Sequence, residues 1–372
     1  MKITPYEVTG KMDYDKIVKD FGVSKIDDKL LQRLEKVSPD GIHYMLRRNI
    51  FFAHRDLKFI LDEHDKGNEF FLYTGRGPSG NTHLGHIIPW IFTKWLQDVF
   101  DVELYFQMTD DEKFMFNSNL SLEDTNNMAR DNALDVIALG FNPEKTHIII
   151  DSEHAGVLYP EATKVAKKIT YSTVKSVFGF TNETNIGSIF FTAVQAVPAF
   201  LPCILKNKKM ACLIPHAIDQ DPHFRVSRDV IPKLGYYKPA SIQCRFLPGL
   251  GGVDDSKMST TNGGISTIFV TDDEKTVKNK INKYAFSGGQ ATIEEHRKKG
   301  GNPDVDVAYQ WLVFLEEDDD KLMKIHDDYK SGKLLTGELK AILIDKINSF
   351  LVEHRKKREQ AKALLDRYIL KV

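Results

Sequence analysis

The residues best suited to chemistry near the start of the chain are two histidines, His83 and His86, that follow a glycine-rich turn. They lie in the stretch TGRGPSGNTHLGHIIPW, between an apolar run and a segment with the pattern of a buried helix. A turn at the amino end of a helix presents free backbone N–H groups and the positive end of the helix dipole, and both attract phosphate. Histidines three residues apart share a helical face and can each donate to phosphate oxygens. The pair predicts a nucleotide site, in which Gly85 leaves room for a flat base.

A lysine much later in the chain, Lys257 in DDSKMSTTNGG, supplies a second signal. Its loop is rich in Gly, Asp, Ser and Thr, which indicates a mobile, solvated segment. A single Lys-Met-Ser is weak by itself. Combined with the histidines, it predicts a lysine that closes over a polyphosphate and neutralises developing charge. The glycine spacing matches neither a P-loop nor a complete G-x-G-x-x-G, so those two nucleotide motifs do not apply.

The elements that must position these residues alternate between strands and helices. A helix is predicted over 82–100 with Thr82 as its N-cap, and the strand that begins at 102 is predicted to end in an acid-rich turn. Apolar runs predict strands over 70–75, from 102, over 147–153, at the start of 209–231, and over 240–250. This alternation indicates an α/β fold with a Rossmann-like parallel sheet.

The pattern changes near 265–272, and from about Thr271 onward it is almost purely helical and highly charged. We therefore expect a sheet domain followed by a C-terminal α-helical domain. The expected regions are a helical or hairpin segment over 1–50, a Rossmann-like domain over 51–268 with a connective insertion around 110–210, and a helical domain over 269–372.

The composition excludes some classes of protein. The chain has 372 residues, 42% of them hydrophobic, and a net charge of −1, so no global field attracts nucleic acid or an anionic membrane. No apolar run is long enough to span a bilayer, and the N-terminus lacks an apolar signal core. The three cysteines form no C-x-x-C pair, which is typical of buried thiols in a reducing compartment. We expect a cytoplasmic protein with no membrane association.

The HIGH-like element at the histidines and the KMSKS-like element at Lys257 together resemble those of class I aminoacyl-tRNA synthetases. Further collinear segments narrow the resemblance to the eukaryotic and archaeal branch of the tryptophanyl-tRNA synthetase family, and it extends from about Tyr14 to the C-terminal helices. These segments are YTGRGPS, IFTKWLQDVF, QMTDDEK, VFGFT, AIDQDPHFR, KMS, AFSGG, TIEEHR and LTGELK.

The resemblance implies how tryptophan is bound. Tyr73 and Gln107 would hold the indole N–H, and Glu112, Gln195 and Gln220 would surround the α-ammonium. These residue types suit the task, because a neutral amide can accept from an indole N–H and an acid can balance an ammonium. A pocket whose polar groups are satisfied only by indole rejects phenylalanine strongly.

The resemblance also implies activation of tryptophan by ATP, without a protein nucleophile. The tryptophan carboxylate attacks the α-phosphate and releases pyrophosphate, and a hydroxyl of the terminal tRNA adenosine then attacks the adenylate. The enzyme contributes alignment and charge stabilisation, with His83, His86 and Lys257 as catalytic residues. Mg²⁺ would arrive with ATP rather than on protein ligands. The residues implied to bind ATP are Arg76, Gly77, Pro78, His83, Gly85, His86, Lys257, Met258 and Ser259.

Further contacts follow from the same resemblance. The helical region over 269–372 would bind the anticodon of tRNA(Trp), and residues 340–372 are locally basic, with nine Lys/Arg against four Asp/Glu. The middle region, roughly 110–210, would form a homodimer. The segment MDYDKI (12–17) resembles one that folds over the active site, although an ordinary surface hairpin stays an alternative. KMSTT lacks the second lysine of the general KMSKS pattern, so a single lysine need not carry the whole catalytic task.

Three other functions are weighed. A tyrosyl-tRNA synthetase has the same fold but typically addresses a phenol hydroxyl with an acid, where this chain has Gln107. Another HIGH-bearing nucleotidyltransferase usually lacks a helical tRNA-binding appendage. A non-catalytic regulator descended from a synthetase is expected to have lost His83, His86 or Lys257, and all three are present.

Overall fold

The computed structural model describes residues 13–252 and 266–372, together with the backbone of two short strands at the N-terminus. Its strands are β1 Lys2–Ile3, β2 Val8–Thr9, β3 Ser24–Lys25, β4 Phe51–Arg55, β5 Phe70–Arg76, β6 Glu103–Met108, β7 Thr146–Ile150, β8 Ala211–Ala217 and β9 Ala240–Cys244. Its helices are α1 Tyr14–Phe21, α2 Asp28–Val37, α3 Tyr44–Arg47, α4 Leu57–Asp65, α5 Leu84–Phe100, α6 Asp110–Phe116, α7 Leu122–Ala138, α8 Ala155–Ala166, α9 Tyr171–Phe178, α10 Ile186–Val194, α11 Leu201–Leu205, α12 Asp221–Val230, α13 Glu274–Tyr284, α14 Ile293–Lys299, α15 Val307–Leu315, α16 Asp319–Lys330, α17 Thr336–Ala361 and α18 Leu365–Tyr368.

Seven of these strands form one sheet in the order β3-β4-β9-β8-β5-β6-β7. The five strands from β9 to β7 are parallel, whereas β4 is antiparallel to both of its neighbours. Read in chain order, the parallel strands follow the 3-2-1-4-5 arrangement of a doubly wound fold, whose direction of winding reverses between β5 and β8. The Rossmann-like α/β fold, its parallel sheet and the helical C-terminal region are therefore confirmed.

Two local predictions are wrong. The helix expected from Thr82 starts one residue later, with His83 at the N-cap of α5, because the Thr82 hydroxyl is buried and donates to Asp135 instead. The acid-rich turn after β6 is the helix α6. Three successive acids in its first turn face the positive end of the helix dipole, which stabilises the helix.

The C-terminal helices pack directly against the sheet region and share its hydrophobic core. Trp311 of α15 donates its indole N–H to the carbonyl of Pro248 at 2.9 Å, and the Tyr44 hydroxyl donates to the carbonyl of Phe314 at 2.9 Å. The division into domains at 50 and 268 stays a prediction. Within the part of the chain that the structure describes, no helix has the length and apolar character needed to cross a membrane.

A buried ionic cluster joins helix α17 to the start of α5. Asp135 of α7 is only 1% exposed. One of its oxygens accepts from the Thr82 hydroxyl, and the other accepts from Arg358 at 2.7 Å and lies 3.2 Å from His354. Although burial opposes ionisation, these partners hold the pKa of Asp135 below its ordinary value. Asp135 thus connects the residue before His83 to the longest helix of the C-terminal region.

Asp135→Asn should lower the free energy of unfolding by about 2 kcal/mol at neutral pH, because Arg358 and the Thr82 hydroxyl lose a buried anionic acceptor. The folded-state pKa of Asp135 lies below the unfolded value near ~3.9. The carboxylate's contribution is therefore complete above about pH 5 and is lost as the pH falls through the folded-state pKa. Urea unfolding of both proteins between pH 3 and 8 measures this. Asp131→Asn removes a more exposed partner of Arg358 and should lower the free energy of unfolding by less than about 1 kcal/mol. If the difference in unfolding free energy between wild type and Asp135→Asn did not depend on pH, the account would be contradicted.

Candidate active site

A pocket of about 310 Å³ opens at the carboxyl ends of β5, β8 and β9. This is where the winding of a doubly wound sheet reverses, so the loops on either side diverge and leave a crevice for a ligand. The pocket is lined by Thr74, Gly75, Arg76, Gly77, Ser79, His83, Gly85, His86, Pro89, Trp90, Glu112, Lys113, Phe116, His216, Ala217, Asp219, Gln220, Cys244, Arg245, Phe246 and Leu247.

The two histidines stand at the amino end of α5, on the wall of this pocket. The His83 backbone N–H donates to Nδ1 of His86 at 3.3 Å, and the two rings stack with their centroids 3.6 Å apart. Because Nδ1 of His86 accepts a hydrogen bond, its ring carries a proton on Nε2. That N–H and the helix dipole make this wall suited to a phosphate group.

The glycine-rich turn before α5 is held by Arg76. Its guanidinium donates to the Thr82 hydroxyl and to the carbonyl of Asn81, and it lies 5.9 Å from the ring centre of Trp90. Burial lowers the pKa of Arg76 to about 10, so it remains a cation at neutral pH. In this structure Arg76 both lines the pocket and holds the turn that precedes His83.

Beneath the pocket, three side chains form a closed hydrogen-bonded group. The Tyr73 hydroxyl donates to Oε1 of Gln107 at 2.6 Å. Nε2 of Gln195 donates to the Tyr73 hydroxyl at 2.5 Å and to Oε1 of Gln107 at 3.0 Å. Gln107 and Tyr73 are fully buried, so every polar atom here needs a partner. Gly75 permits this packing, since an added Cβ would lie 2.7 Å from the carbonyl oxygen of Gln107.

Acidic side chains gather on the same side of the pocket. Glu112 accepts from the Thr109 hydroxyl at 2.6 Å, and burial raises the pKa of Glu112. Asp151, which directly follows β7, accepts from Nε2 of Gln107 at 2.9 and 2.8 Å through its two oxygens. Glu112 and Gln220 both line the pocket, and an acid with a neutral amide can receive a cationic ammonium.

Most of the residues that the sequence analysis selected lie together in the structure. Tyr73, Gln107 and Gln195 are just below the pocket rather than among the residues that line it, and Pro78 is buried in the turn nearby. Lys257, Met258 and Ser259 lie outside the described residues. The predicted residues that line the pocket are Arg76, Gly77, His83, Gly85, His86, Glu112 and Gln220.

Sequence reasoning missed several polar residues of the site. His216, at the end of β8, lines the pocket; its Nδ1 pairs with the Ala217 carbonyl at 2.9 Å, and burial lowers its pKa. Lys113 lies over the glycine-rich turn, since a Cβ on Gly77 would meet its Cε at 2.7 Å. Asp151 had a usable signal, because it follows a buried strand directly at the edge where ligands bind in such sheets.

The start of α1 touches the same pocket. The Tyr14 hydroxyl accepts from the Phe246 backbone N–H at 3.1 Å, and the Arg245 guanidinium lies 4.9 Å from the centre of the Tyr14 ring. Arg245 and Phe246 are both pocket residues. Tyr14 of MDYDKI therefore contacts the pocket wall, whereas Met12 lies outside the described residues. In the described ranges, no group of three or more His, Cys, Asp or Glu side chains is placed to hold a metal ion.

Comparison with known proteins gives the family. The family model for class I tRNA synthetases (W and Y) matches residues 65–352. The tryptophan–tRNA ligase of Sulfurisphaera tokodaii is 53% identical over 365 residues, which cover 98% of this chain and 94% of that protein. The corresponding ligase of Pyrococcus furiosus is 48% identical over 368 residues, which cover 99% of this chain and 93% of that protein.

Solved structures of tryptophanyl-tRNA synthetases have the same fold as this chain. The tryptophanyl-tRNA synthetase of Plasmodium falciparum superimposes with a TM-score of 0.90 at 44% identity, covering 96% of this chain and 98% of that one. The enzyme of Encephalitozoon cuniculi, bound to tryptophan, gives 0.89 at 38% identity, covering 98% and 99%. A doubly wound sheet with this histidine-bearing helix start at its crevice is the architecture of a class I aminoacyl-tRNA synthetase. Within that class, the chain belongs to the tryptophanyl-tRNA synthetase family.

Proposed function

We propose that the pocket at the carboxyl ends of β5 and β8 is where this tryptophan–tRNA ligase activates tryptophan with ATP, before transfer to tRNA(Trp). The observation that carries the proposal is that the residues suited to ATP and those suited to tryptophan lie at one pocket. The histidines at the start of α5 line the same pocket as Glu112 and Gln220, and the buried amide of Gln107 lies directly below. A phosphate-binding wall thus adjoins groups suited to an amino acid.

The tryptophan end of the site is built from complementary groups. Tyr73 and Gln107 hold the indole N–H, with Oε1 of Gln107 as its acceptor and Gln195 bonded to the same oxygen. Glu112 and Gln220 receive the α-ammonium. Sequence reasoning gave Gln195 to the ammonium, but its contacts with Tyr73 and Gln107 support a role at the indole end.

The ATP end relies on position and charge. His83 and His86 donate to phosphate oxygens, and Gly85 with the turn at Gly77 and Pro78 gives the nucleotide access to the backbone. Lys257, with Met258 and Ser259, closes over the leaving pyrophosphate, and Arg76 holds the turn. ATP is a substrate here, and Mg²⁺ bound to its phosphates would supply Lewis-acid stabilisation of the developing charge.

The contact with tRNA is assigned to the C-terminal helices over 269–372. The basic segment 340–372 is a weaker support for this than its composition indicates, because most of its cations bond within the chain. Arg358 pairs with Asp131 and Asp135, for example, and Lys340 donates to the carbonyl of Ala285. The others with such bonds are Lys346, Arg355, Lys357, Lys362 and Arg367.

We also assign a homodimer, formed through the region 110–210. Seven large apolar side chains of this region are exposed, and a subunit contact would remove them from water. Sedimentation that shows a monomer at working concentrations would remove this assignment. The cytoplasm is the proposed compartment, in keeping with free thiols that are all buried. The exposed apolar residues of the region are Phe114, Phe116, Leu122, Tyr159, Tyr171, Ile186 and Leu205, and the buried thiols are Cys203, Cys212 and Cys244.

Amino-acid-dependent exchange between ATP and pyrophosphate, measured with each of the twenty amino acids, tests the proposed function. Tryptophan alone should support rapid exchange. Exchange with tyrosine would move the chain to the sister enzyme, and no exchange with any amino acid would support a regulatory descendant.

Lys257→Ala should lower kcat for tryptophan-dependent exchange by about 100-fold, because charge on the departing pyrophosphate loses a cation. The Kd of tryptophan should change little, since the lysine acts on phosphate. Lys275→Ala, an exposed lysine of α13, is the matched control and should leave exchange unchanged. A normal exchange rate in Lys257→Ala would contradict the assignment.

A further inference from the structure

Gln107 is held from behind by an acid that has no assigned role. We propose that Asp151 is a positioning residue that fixes the side-chain amide of Gln107 with its oxygen, rather than its NH₂ group, toward the tryptophan ring. Asp151 would thereby set the preference for a ring that carries an N–H donor. The inference rests on the proposed function, which assigns the indole N–H to Gln107.

The contacts of the amide define its orientation. Nε2 of Gln107 lies 2.9 and 2.8 Å from the two oxygens of Asp151. On the other side, Oε1 accepts from the Tyr73 hydroxyl at 2.6 Å and from Nε2 of Gln195 at 3.0 Å. A reversed amide would set its oxygen against two carboxyl oxygens and its NH₂ against the NH₂ of Gln195. Since Gln107 and Asp151 are 0% and 2% exposed, water cannot compensate for the lost bonds.

A second acid keeps Asp151 an acceptor toward Gln107. Burial raises the pKa of Asp151 well above its ordinary value, and the neighbouring charge of Asp111 raises it further. Burial also raises the pKa of Asp111 to about 6. The hydrogen bond between the two carboxyl groups engages one proton. The remaining lone pairs of Asp151 accept from Gln107.

Tryptophan can enter this group without disrupting it. Oε1 of Gln107 already accepts two hydrogen bonds, so an indole N–H must replace one donor. The Tyr73 hydroxyl has a second acceptor within reach, the backbone carbonyl of Gln195 at 3.2 Å. It can turn toward that carbonyl while the indole takes its place. A ring of the same shape without an N–H cannot donate to Oε1 of Gln107. Binding it would leave polar groups of the site unpaired, so the site rejects it.

Asp151→Asn tests the proposal with two substrates, tryptophan and 3-benzothienyl-L-alanine, in which sulfur replaces the ring N–H. The wild type should prefer tryptophan by about 100-fold or more in kcat/KM for pyrophosphate exchange. The amide introduced by this substitution can donate as well as accept, so it tolerates a reversed Gln107, and the preference should narrow by about tenfold or more. The ratio for one enzyme preparation does not depend on the fraction of folded protein. Asp151→Ser introduces a hydroxyl that can also donate, and it should likewise narrow the preference for tryptophan.

Two further variants separate positioning from a general structural role. Asp110→Asn removes an acid of the same cluster that bonds Ser152 rather than Gln107, and it should keep the wild-type ratio. In a Gln107→Ala background, Asp151→Asn should not change the ratio further; an additional change would overturn the inference. If Asp151→Asn and Asp151→Ser both kept the wild-type preference for tryptophan, the inference would also be overturned. If instead the wild type shows no preference, the proposed role of Gln107 fails, which is a different result.

Discussion

Gln107→Ala should lower kcat/KM for tryptophan in pyrophosphate exchange by about 1,000-fold while the protein stays folded. The variant removes the oxygen that we propose accepts from the indole N–H, and it leaves the Tyr73 hydroxyl, Gln195 and Asp151 without a shared partner. Where a site is built to make a specific hydrogen bond to its substrate, kcat/KM falls by several orders of magnitude when that bond cannot form. Steady-state exchange kinetics over a range of tryptophan concentrations measure the loss.

A buried glutamine outside the pocket provides the control. Gln97 of α5 is 2% exposed and donates to Thr146, so Gln97→Ala also deletes a buried amide. It should lower the thermal midpoint without changing the choice of amino acid. Unchanged kcat and KM for tryptophan in Gln107→Ala would refute the role of Gln107. An equal loss of kcat/KM in Gln97→Ala would show that the loss in Gln107→Ala arises from lower stability.

His86→Ala should lower kcat for adenylate formation by about 1,000-fold with little change in the Kd of tryptophan. The variant removes an N–H donor from the proposed phosphate-binding wall, and one such donor to a developing charge is worth about 100- to 1,000-fold in kcat. It also removes the acceptor of the His83 backbone N–H, so the neighbouring donor is less well positioned. Single-turnover formation of the adenylate and equilibrium binding of tryptophan measure the two quantities separately.

The position of His86 can be compared with that of a distant histidine. His326 of α16 pairs with Asp327, far from the pocket residues in the fold, and His326→Ala should leave adenylate formation unchanged. His86→Asn keeps a side-chain donor and should recover part of the rate lost in His86→Ala. Loss of tryptophan binding in step with kcat would instead indicate that His86 holds the pocket together.

Much of the fold follows from local sequence. The apolar run that ends in TGRG gives β5 and its turn, because buried parallel strands are nearly continuous in apolar residues. The start of the next helix was harder to place. Thr82 is a good N-cap by type, but its hydroxyl is bound by Asp135, a residue 53 positions away, and no local pattern contains that contact.

The chemistry of the site was predictable only in part. His83, His86 and Glu112 were identified from short motifs, and the structure brings them to one pocket. Asp151 was missed although it directly follows a buried strand. Its contact with Gln107, by contrast, depends on the pairing of β6 with β7, which follows from the whole sheet. The charge of residues 340–372 has a similar limit, because composition does not show that Lys346, Arg358 and Arg367 are paired with acids far away in the sequence. The contact of this segment with tRNA stays a prediction.

The contacts that Asp135 of α7 makes with Thr82 and with α17 have a consequence for how the enzyme can be divided. An excised fragment that ends before α17 would bury a carboxylate without Arg358 and His354, directly beneath the threonine that precedes the phosphate wall. The amino-acid-activating half therefore requires the C-terminal helices for its own integrity. A displacement of α17 would act on Thr82, and so on the amino end of α5, through the single side chain of Asp135.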